Sequence, residues 1–194
     1  MGLFNRNEFK PDRNYSGAIS KLYITPKQRT KILKWVLMTM ALAIVCVIED
    51  VILSKLSIHG TTFDLMAATL LLVCILQDPE YGSIFVLIAS IVYYFSGSAP
   101  GPYVVAMLTL IGVFFAIVRH CYLHKGFGSV MLCTAAAILV YEAILFGIGL
   151  FFGYTIFERW LNHLIKAGIS FGVMPVMYPI FGAICKIGGE SWNE

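Results

Sequence analysis

The chain has 194 residues, of which 59% are hydrophobic and 13% charged, with a mean hydropathy of +0.81 and a formal net charge of +3. A soluble domain needs about a quarter of its residues charged to cover its surface, so this composition excludes an ordinary water-facing exterior and makes lipid the natural solvent. Inside a bilayer only helices and closed barrels satisfy the backbone. The apolar runs here are continuous rather than alternating, which excludes an outer-membrane barrel and leaves an all-α, polytopic fold.

Residues 1–31 form a polar, basic arm, expected to be cytoplasmic, with Pro26 and Lys27 as the lead-in to a helix. No apolar block opens the chain and no small-residue site follows the first apolar run, so no cleaved signal peptide is expected. Arg6 stands where a myristoylation motif needs Ser or Thr. The first span is expected over about Ile32–Leu53, since ~30 Å of hydrocarbon needs about 20 helical residues. Lys34 and Trp35 suit its inner interface, and Gly60 breaks the following loop.

Two shorter runs follow, "FDLMAATLLLVCILQ" over Phe63–Gln77 and "GSIFVLIASIVYYFS" over Gly82–Ser96. Each reaches only about 22 Å as a helix, so they are expected to form a short hairpin, either extended by a turn into the loops or crossing a locally thinned bilayer. The link between them lies in "CILQDPEYGSIF". There Asp78 is placed to cap the next helix, Pro79 fits its first turn and Glu80 complements its dipole. "SGSAPGP" ends the second run. Span four is expected over Tyr103–Val118, span five over Ser129–Phe152 and span six over about Leu164–Lys186, with a short tail over 187–194.

The arm before span one, taken to Lys34, holds eight of the fourteen Lys and Arg residues. With that arm inside and six spans crossing, eleven basic residues fall inside against two outside, Lys55 and Arg159. That is a positive-inside pattern with both termini cytoplasmic. The five cysteines show no paired spacing and read as small buried hydrophobes. The basic arm suits an anionic inner leaflet, and no basic groove with interleaved aromatics suggests nucleic acid.

Glu142 is the sharpest polar feature, in the middle of span five within "ILVYEAILFG". An ionised group at that depth must face a partner, water or the protein interior, and Lys166 of span six is its natural partner. The pair reads either as a substrate or proton site or as a lock between the two spans. The lock is favoured, because an acid without a second acid or His nearby makes a poor relay. Glu49 and Asp50 sit near the outer end of span one, pointing about 100° apart, so one is expected to face the bundle and the other outer water. Asp78 and Glu80, like that pair, are candidate contacts for a ligand or partner. His120 and His124, four apart with Cys121 beside them, have helical metal-ligand spacing, but nothing near them in sequence completes a site, so no metal is expected.

Gly149-x-x-x-Gly153 and Gly168-x-x-x-Gly172 are small-residue pairs expected to let helices approach closely. Pro175 and Pro179 each remove a backbone bond from span six and are expected to kink or unwind it. The sequence has no phosphate-binding glycine loop, no Ser-His-Asp signal, no HExxH and no paired CxxC. It gives no support for enzymatic chemistry or a cofactor.

The order of these features resembles MreD and MreD-like proteins, the small polytopic component of the bacterial rod-shape system. The likeness covers about residues 31–186. It is carried by "RTKILKWVLMTMALAIVCVIED" after a basic arm, by the compact pair joined at "QDPEYGSIFVLIASIVYYFSGSAPGP", and by the final "LIKAGISFGVMPVMYPIFGAI". Glu80-Tyr81-Gly82 matches the acid-Gly turn that opens the family's third span, whereas Tyr94-Phe95 stands where the family has an Asp. The resemblance implies a non-enzymatic inner-membrane scaffold. It would bind a bitopic MreC-like partner and link cytoskeletal filaments to the peptidoglycan synthases of the elongasome. The alternative is the substrate-binding S component of an energy-coupling-factor vitamin transporter, which has a similar six-helix bundle. A pocket lined by Glu142, Lys166, Trp160 and the Glu49-Asp50 pair would favour that reading.

Overall fold

A computed structural model describes residues 26–51, 64–97, 99–123 and 126–187. The regular structure among these residues is all helix, with no strand: α1 (Pro26–Val51), α2 (Leu65–Leu76), α3 (Pro79–Phe95), α4 (Tyr103–Tyr122), α5 (Phe127–Phe151) and α6 (Trp160–Lys186), the last entered through one 3₁₀ turn over Phe157–Arg159. Most of the N-terminal arm, the end of the first expected span past Val51, the break at Gly60, His124 and the C-terminal tail lie outside the described residues.

Four helices are long and apolar enough to cross a membrane: α1, α4, α5 and α6 with its 3₁₀ lead-in. The protein therefore has membrane-protein character. The other two are shorter, at 12 residues for α2 and 17 for α3. The arm expected over 1–31 is already helical from Pro26, and span six, expected from Leu164, starts a turn earlier at Trp160. A basic sequence is no bar to helix, and "ERWLNH" contains neither Gly nor Pro to stop one.

The organising element is α2. It is apolar around its whole circumference, and all twelve of its residues are buried. A helix apolar all round is buried in protein or lipid, and α2 is enclosed by protein, touching each of the other five helices. Around it α3 packs on α4, α4 on α5, α5 on α6 and α6 on α1. The Trp35 and Phe85 rings, 5.2 Å apart, bring α1 against α3.

Contacts set the direction of each helix. Glu49, near the end of α1, meets the first turn of α2. Tyr93, near the end of α3, returns to the same place at Asp64. Arg119, near the end of α4, lies at the opposite end of α2. Tyr141 of α5 and Lys166 of α6 reach Asp64 again. The six helices therefore alternate in direction, with an Asp64 end and an Arg119 end.

The close approaches are made by glycines that no spacing motif marks. A Cβ on Gly82 would lie 2.9 Å from the Cys74 carbonyl oxygen, and one on Gly112 would lie 3.0 Å from Cys74 Sγ. These two positions bring α3 and α4 onto the C-terminal half of α2. The expected small-residue pairs do not serve this purpose. Gly168 and Gly172 have nothing within 4 Å of a built Cβ. Gly149 packs on Thr155 of the adjoining turn, and Gly153 supplies a left-handed residue there, with φ +72°. Pro175 and Pro179 lie within α6, whose helix continues through both, so no unwound segment forms.

Gly82→Ala should therefore destabilise the bundle by about 1–3 kcal/mol, the usual cost of overpacking against immobile atoms. Gly168→Ala should leave stability unchanged or raise it by up to about 1 kcal/mol, through helix propensity alone. Melting of the two variants in mild detergent separates them, and equal melting temperatures would contradict this packing.

Candidate functional site

The site grows from the backbone needs of α2. The first N–H groups and last C=O groups of any helix lack intrahelical partners, and inside an apolar bundle no water replaces them. At the N-terminus Asp64 is the cap, its Oδ1 accepting from Ala67 N at 3.1 Å, while its own carbonyl accepts from Ala68 N. Glu49 reaches across from α1, and its Oε2 accepts from Met66 N at 2.5 Å. At the C-terminus the Arg119 guanidinium donates to the carbonyls of Ile75 and Leu76. Acids thus stand at the positive end of the α2 dipole and a cation at its negative end.

Asp64 then gathers the cluster. Tyr93 donates to Oδ1 at 3.0 Å, and Tyr141 donates to Oδ2 at 3.2 Å. Lys166 Nζ lies 3.4 Å from Asp64 Oδ2 and 3.0 Å from Glu142 Oε1. Glu142 Oε2 in turn meets His163 Nδ1 at 3.0 Å. His163 and Lys166 are three residues apart and so share one face of α6. The Asp64 and Glu142 side chains are 5% exposed, Lys166 16% and His163 29%, so the chain of contacts climbs from the enclosed start of α2 toward the surface of the α5–α6 pair.

The structure brings together Glu142, Lys166 and Glu49 from among the residues singled out in the sequence. It leaves the others apart. Asp50 is exposed one step round the helix from Glu49, with its Oδ2 3.8 Å from Cys46 Sγ. Asp78 and Glu80 are exposed in the α2–α3 turn. Asp78 precedes Pro79 at the helix start but makes no side-chain cap bond, so the expected capping is not realised; Glu80 does lie in the first turn of α3. Trp160 is exposed. No group of three His, Cys, Asp or Glu suited to a metal occurs among the described residues.

Sequence reasoning missed Asp64, Tyr93, Tyr141 and His163. The view that Glu142 lacks a second acid or His nearby is overturned by His163 and, through Lys166, by Asp64. Two of the four carried a signal. Asp64 stands immediately before twelve apolar residues, which is the pattern of an N-cap, and His163 is one helical turn from Lys166. The two tyrosines carried none, because their hydroxyls act only through tertiary packing.

No family model, curated protein or solved structure matches the chain.

Removing one member of a buried ion pair costs about 3–5 kcal/mol, because it leaves the other charge uncompensated. Lys166→Met should therefore destabilise more than Glu142→Gln, since Lys166 faces two carboxylates. The double variant Glu142→Gln/Lys166→Met should lose less than the sum of the single losses. A thermal double-mutant cycle in mild detergent measures this coupling. Strict additivity, or a Glu142→Gln protein of full stability, would dismiss the lock.

Proposed function

We propose that this chain is a non-enzymatic scaffold of the bacterial inner membrane, of the kind that MreD provides in the rod-shape system. In this reading it crosses the membrane six times with both termini in the cytoplasm. It binds a bitopic MreC-like partner and helps link cytoskeletal filaments to peptidoglycan synthesis. The observation that carries the reading is the mutual engagement of the charged groups around α2, although the Gln77 and Ser170 side chains are buried with no hydrogen-bond partner. Each oxygen of Asp64 has two donors, and Lys166 bridges Asp64 to Glu142. Glu49 and Arg119 are engaged at the two ends of α2. Polar side chains spent in this way hold a shape; a substrate site keeps convergent groups turned toward an open cleft.

Six crossings are supported by the alternation of the six helices. The short α2 is enclosed by its neighbours rather than by lipid. α3 spans about 25 Å, close to the thickness that lipid reaches by thinning around a short segment. The orientation is supported by the placement of basic residues. Arg29, Lys31, Lys34, Arg119 and Lys186 belong to the Arg119 half of the bundle, whereas Arg159 belongs to the other end.

The transporter reading needs Glu142, Lys166, Trp160 and the Glu49-Asp50 pair around one ligand. Glu142 and Lys166 are bound to each other, Glu49 is bound to α2, and Trp160 and Asp50 are exposed. The geometry favours the scaffold.

Affinity purification in mild detergent, followed by identification of co-purifying proteins, tests the proposal. Rod-system components are the expected result. Recovery of an ATPase pair with a coupling membrane subunit would replace the scaffold by the transporter. The exposed acids of the α2–α3 turn are a candidate contact for a partner's cytoplasmic segment, so Asp78→Ala/Glu80→Ala should lower partner recovery without changing stability. Unchanged recovery would remove that turn from the interface.

A further inference from the structure

The α5–α6 hairpin continues well past the cluster. Nine residues separate Glu142 from Phe151, so α5 runs about 14 Å beyond it, whereas α3 ends two residues after Tyr93. From Phe146 to Ile165 no residue is buried. The hairpin is nevertheless well formed. The Phe146 ring packs on Phe157 at 6.2 Å and on His163 at 5.2 Å. At the turn, Tyr154 N and Thr155 N both donate to the Gly149 carbonyl, and Gly153 takes the positive φ that this reversal needs.

What this hairpin presents outward is apolar and aromatic. Phe151, Phe152, Tyr154, Ile156, Phe157 and Trp160 are all exposed around the turn. Only Glu158 and Arg159 near the apex are charged, and their charges cancel. An exposed apolar patch of this size marks a membrane or protein interaction surface rather than a water-facing loop. Trp and Tyr with an apolar body and a polar tip settle where acyl chains meet headgroups.

The far end of the bundle carries a matching set. Tyr122 and Phe127 are exposed there, and Tyr81 lies with Lys31 Nζ 5.9 Å over its ring. The 25 residues from Phe127 to Phe151 span about 37 Å, which covers a hydrocarbon core of ~30 Å with its boundaries.

We propose that the α5–α6 hairpin is a lipid-interface anchor. Its aromatic apex is seated at the headgroup boundary of the leaflet at the Asp64 end, facing phospholipid rather than protein. The Asp64–Lys166–Glu142 cluster then lies within the hydrocarbon layer, about 9 Å below Trp160 along α6 and about 14 Å below Phe151 along α5. Because Glu158 and Arg159 cancel, seating does not depend on anionic lipid. This inference needs only the membrane character of the chain and goes beyond the scaffold role.

The test uses the full chain in phosphatidylcholine vesicles containing lipids brominated either near the glycerol end or near the terminal methyl. The Trp160 contribution is read as wild type minus Trp160→Phe. Quenching should be about twofold greater for the shallow bromines than for the deep ones, as for an interfacial indole. The same ratio should hold when a third of the lipid is replaced by phosphatidylglycerol. A Trp introduced by Ile144→Trp in a Trp160→Phe background, close to the level of Glu142, should reverse the preference toward deep bromines.

Absence of quenching at Trp160 by either lipid would overturn the proposal, showing that the apex stands in water or is covered by protein. Quenching at Trp160 by the deep lipid alone, or only when phosphatidylglycerol is present, would overturn it equally. No partner protein enters the assay, so its failure and a failed co-purification are separate results.

Discussion

The structure depends on enclosing an apolar helix whose two ends are stranded inside the bundle. α2 is 12 residues, about 18 Å long, and buried on every face, so its terminal N–H and C=O groups cannot turn to water. Each such group left unpaired in an apolar medium costs several kcal/mol. The remedy is supplied by α1 and α4, together with the residue that precedes α2. Glu49 and Asp64 close the N-terminus and Arg119 closes the C-terminus. Asp64 has further hydrogen-bonding capacity that must also be met inside the bundle. That second requirement brings in Tyr93, Tyr141, Lys166, Glu142 and His163 from α3, α5 and α6. The order of helices round the bundle follows from the satisfaction of one short segment.

A cluster of this kind is better understood as a device for register than as a source of net stability. Charges taken from water carry a desolvation cost that their mutual attraction only roughly repays, yet any single loss is expensive. Every partner of Asp64 sits at a particular turn of its own helix. A slide of α5 or α6 by one turn, 5.4 Å, would break the contacts of Tyr141 or Lys166 without offering replacements. Apolar packing alone tolerates such slides, since one Leu-rich face resembles the next. The glycines that meet Cys74 act in the same sense at the other end: Gly82 and Gly112 let α3 and α4 approach only at one height.

Much of the secondary structure was legible, because long continuous apolar runs separated by Gly, Pro and charge allow few readings. The helices over Tyr103–Tyr122 and Phe127–Phe151 lie within a few residues of the expected spans. What was not legible is which short run would be central. Phe63–Gln77 and Gly82–Ser96 look alike as composition, yet α2 is wholly enclosed while α3 exposes Ile84, Ile88 and Val92. The difference is one of placement: α3 turns Gly82, Ser90 and Tyr93 inward and an apolar face outward, whereas α2 has neighbours on every face. The small-residue motifs did not reveal their neighbours for a related reason. Gly-x-x-x-Gly states that two glycines share a helix face, but not that another helix lies over it, and at Gly168 and Gly172 none does. The prolines of α6 allowed either a kink or an unwound segment, and the helix is not unwound at either one, since the loss of an N–H donor need not interrupt a helix when its neighbours hold it.

The two ends of α2 differ in chemistry, and this couples the interior to the exterior. Arg119 is the hinge of that coupling: it caps α2 from the end of α4, and it belongs to the same basic end as Arg29, Lys31 and Lys186. A cation there is favoured twice, by the carbonyl end of the α2 dipole and, under the proposed orientation, by the anionic cytoplasmic leaflet. The opposite end has the reverse arrangement. Its acids are drawn inward around the N-terminus of α2, and what it turns outward is the apolar α5–α6 hairpin with a self-cancelling charge pair at its tip. Inverting the bundle in the membrane would take the basic end away from the anionic cytoplasmic leaflet and gain nothing for Arg119, which would still be held by Ile75 and Leu76. The interior contacts therefore do not choose an orientation by themselves. They place the basic end where the surrounding membrane makes the choice.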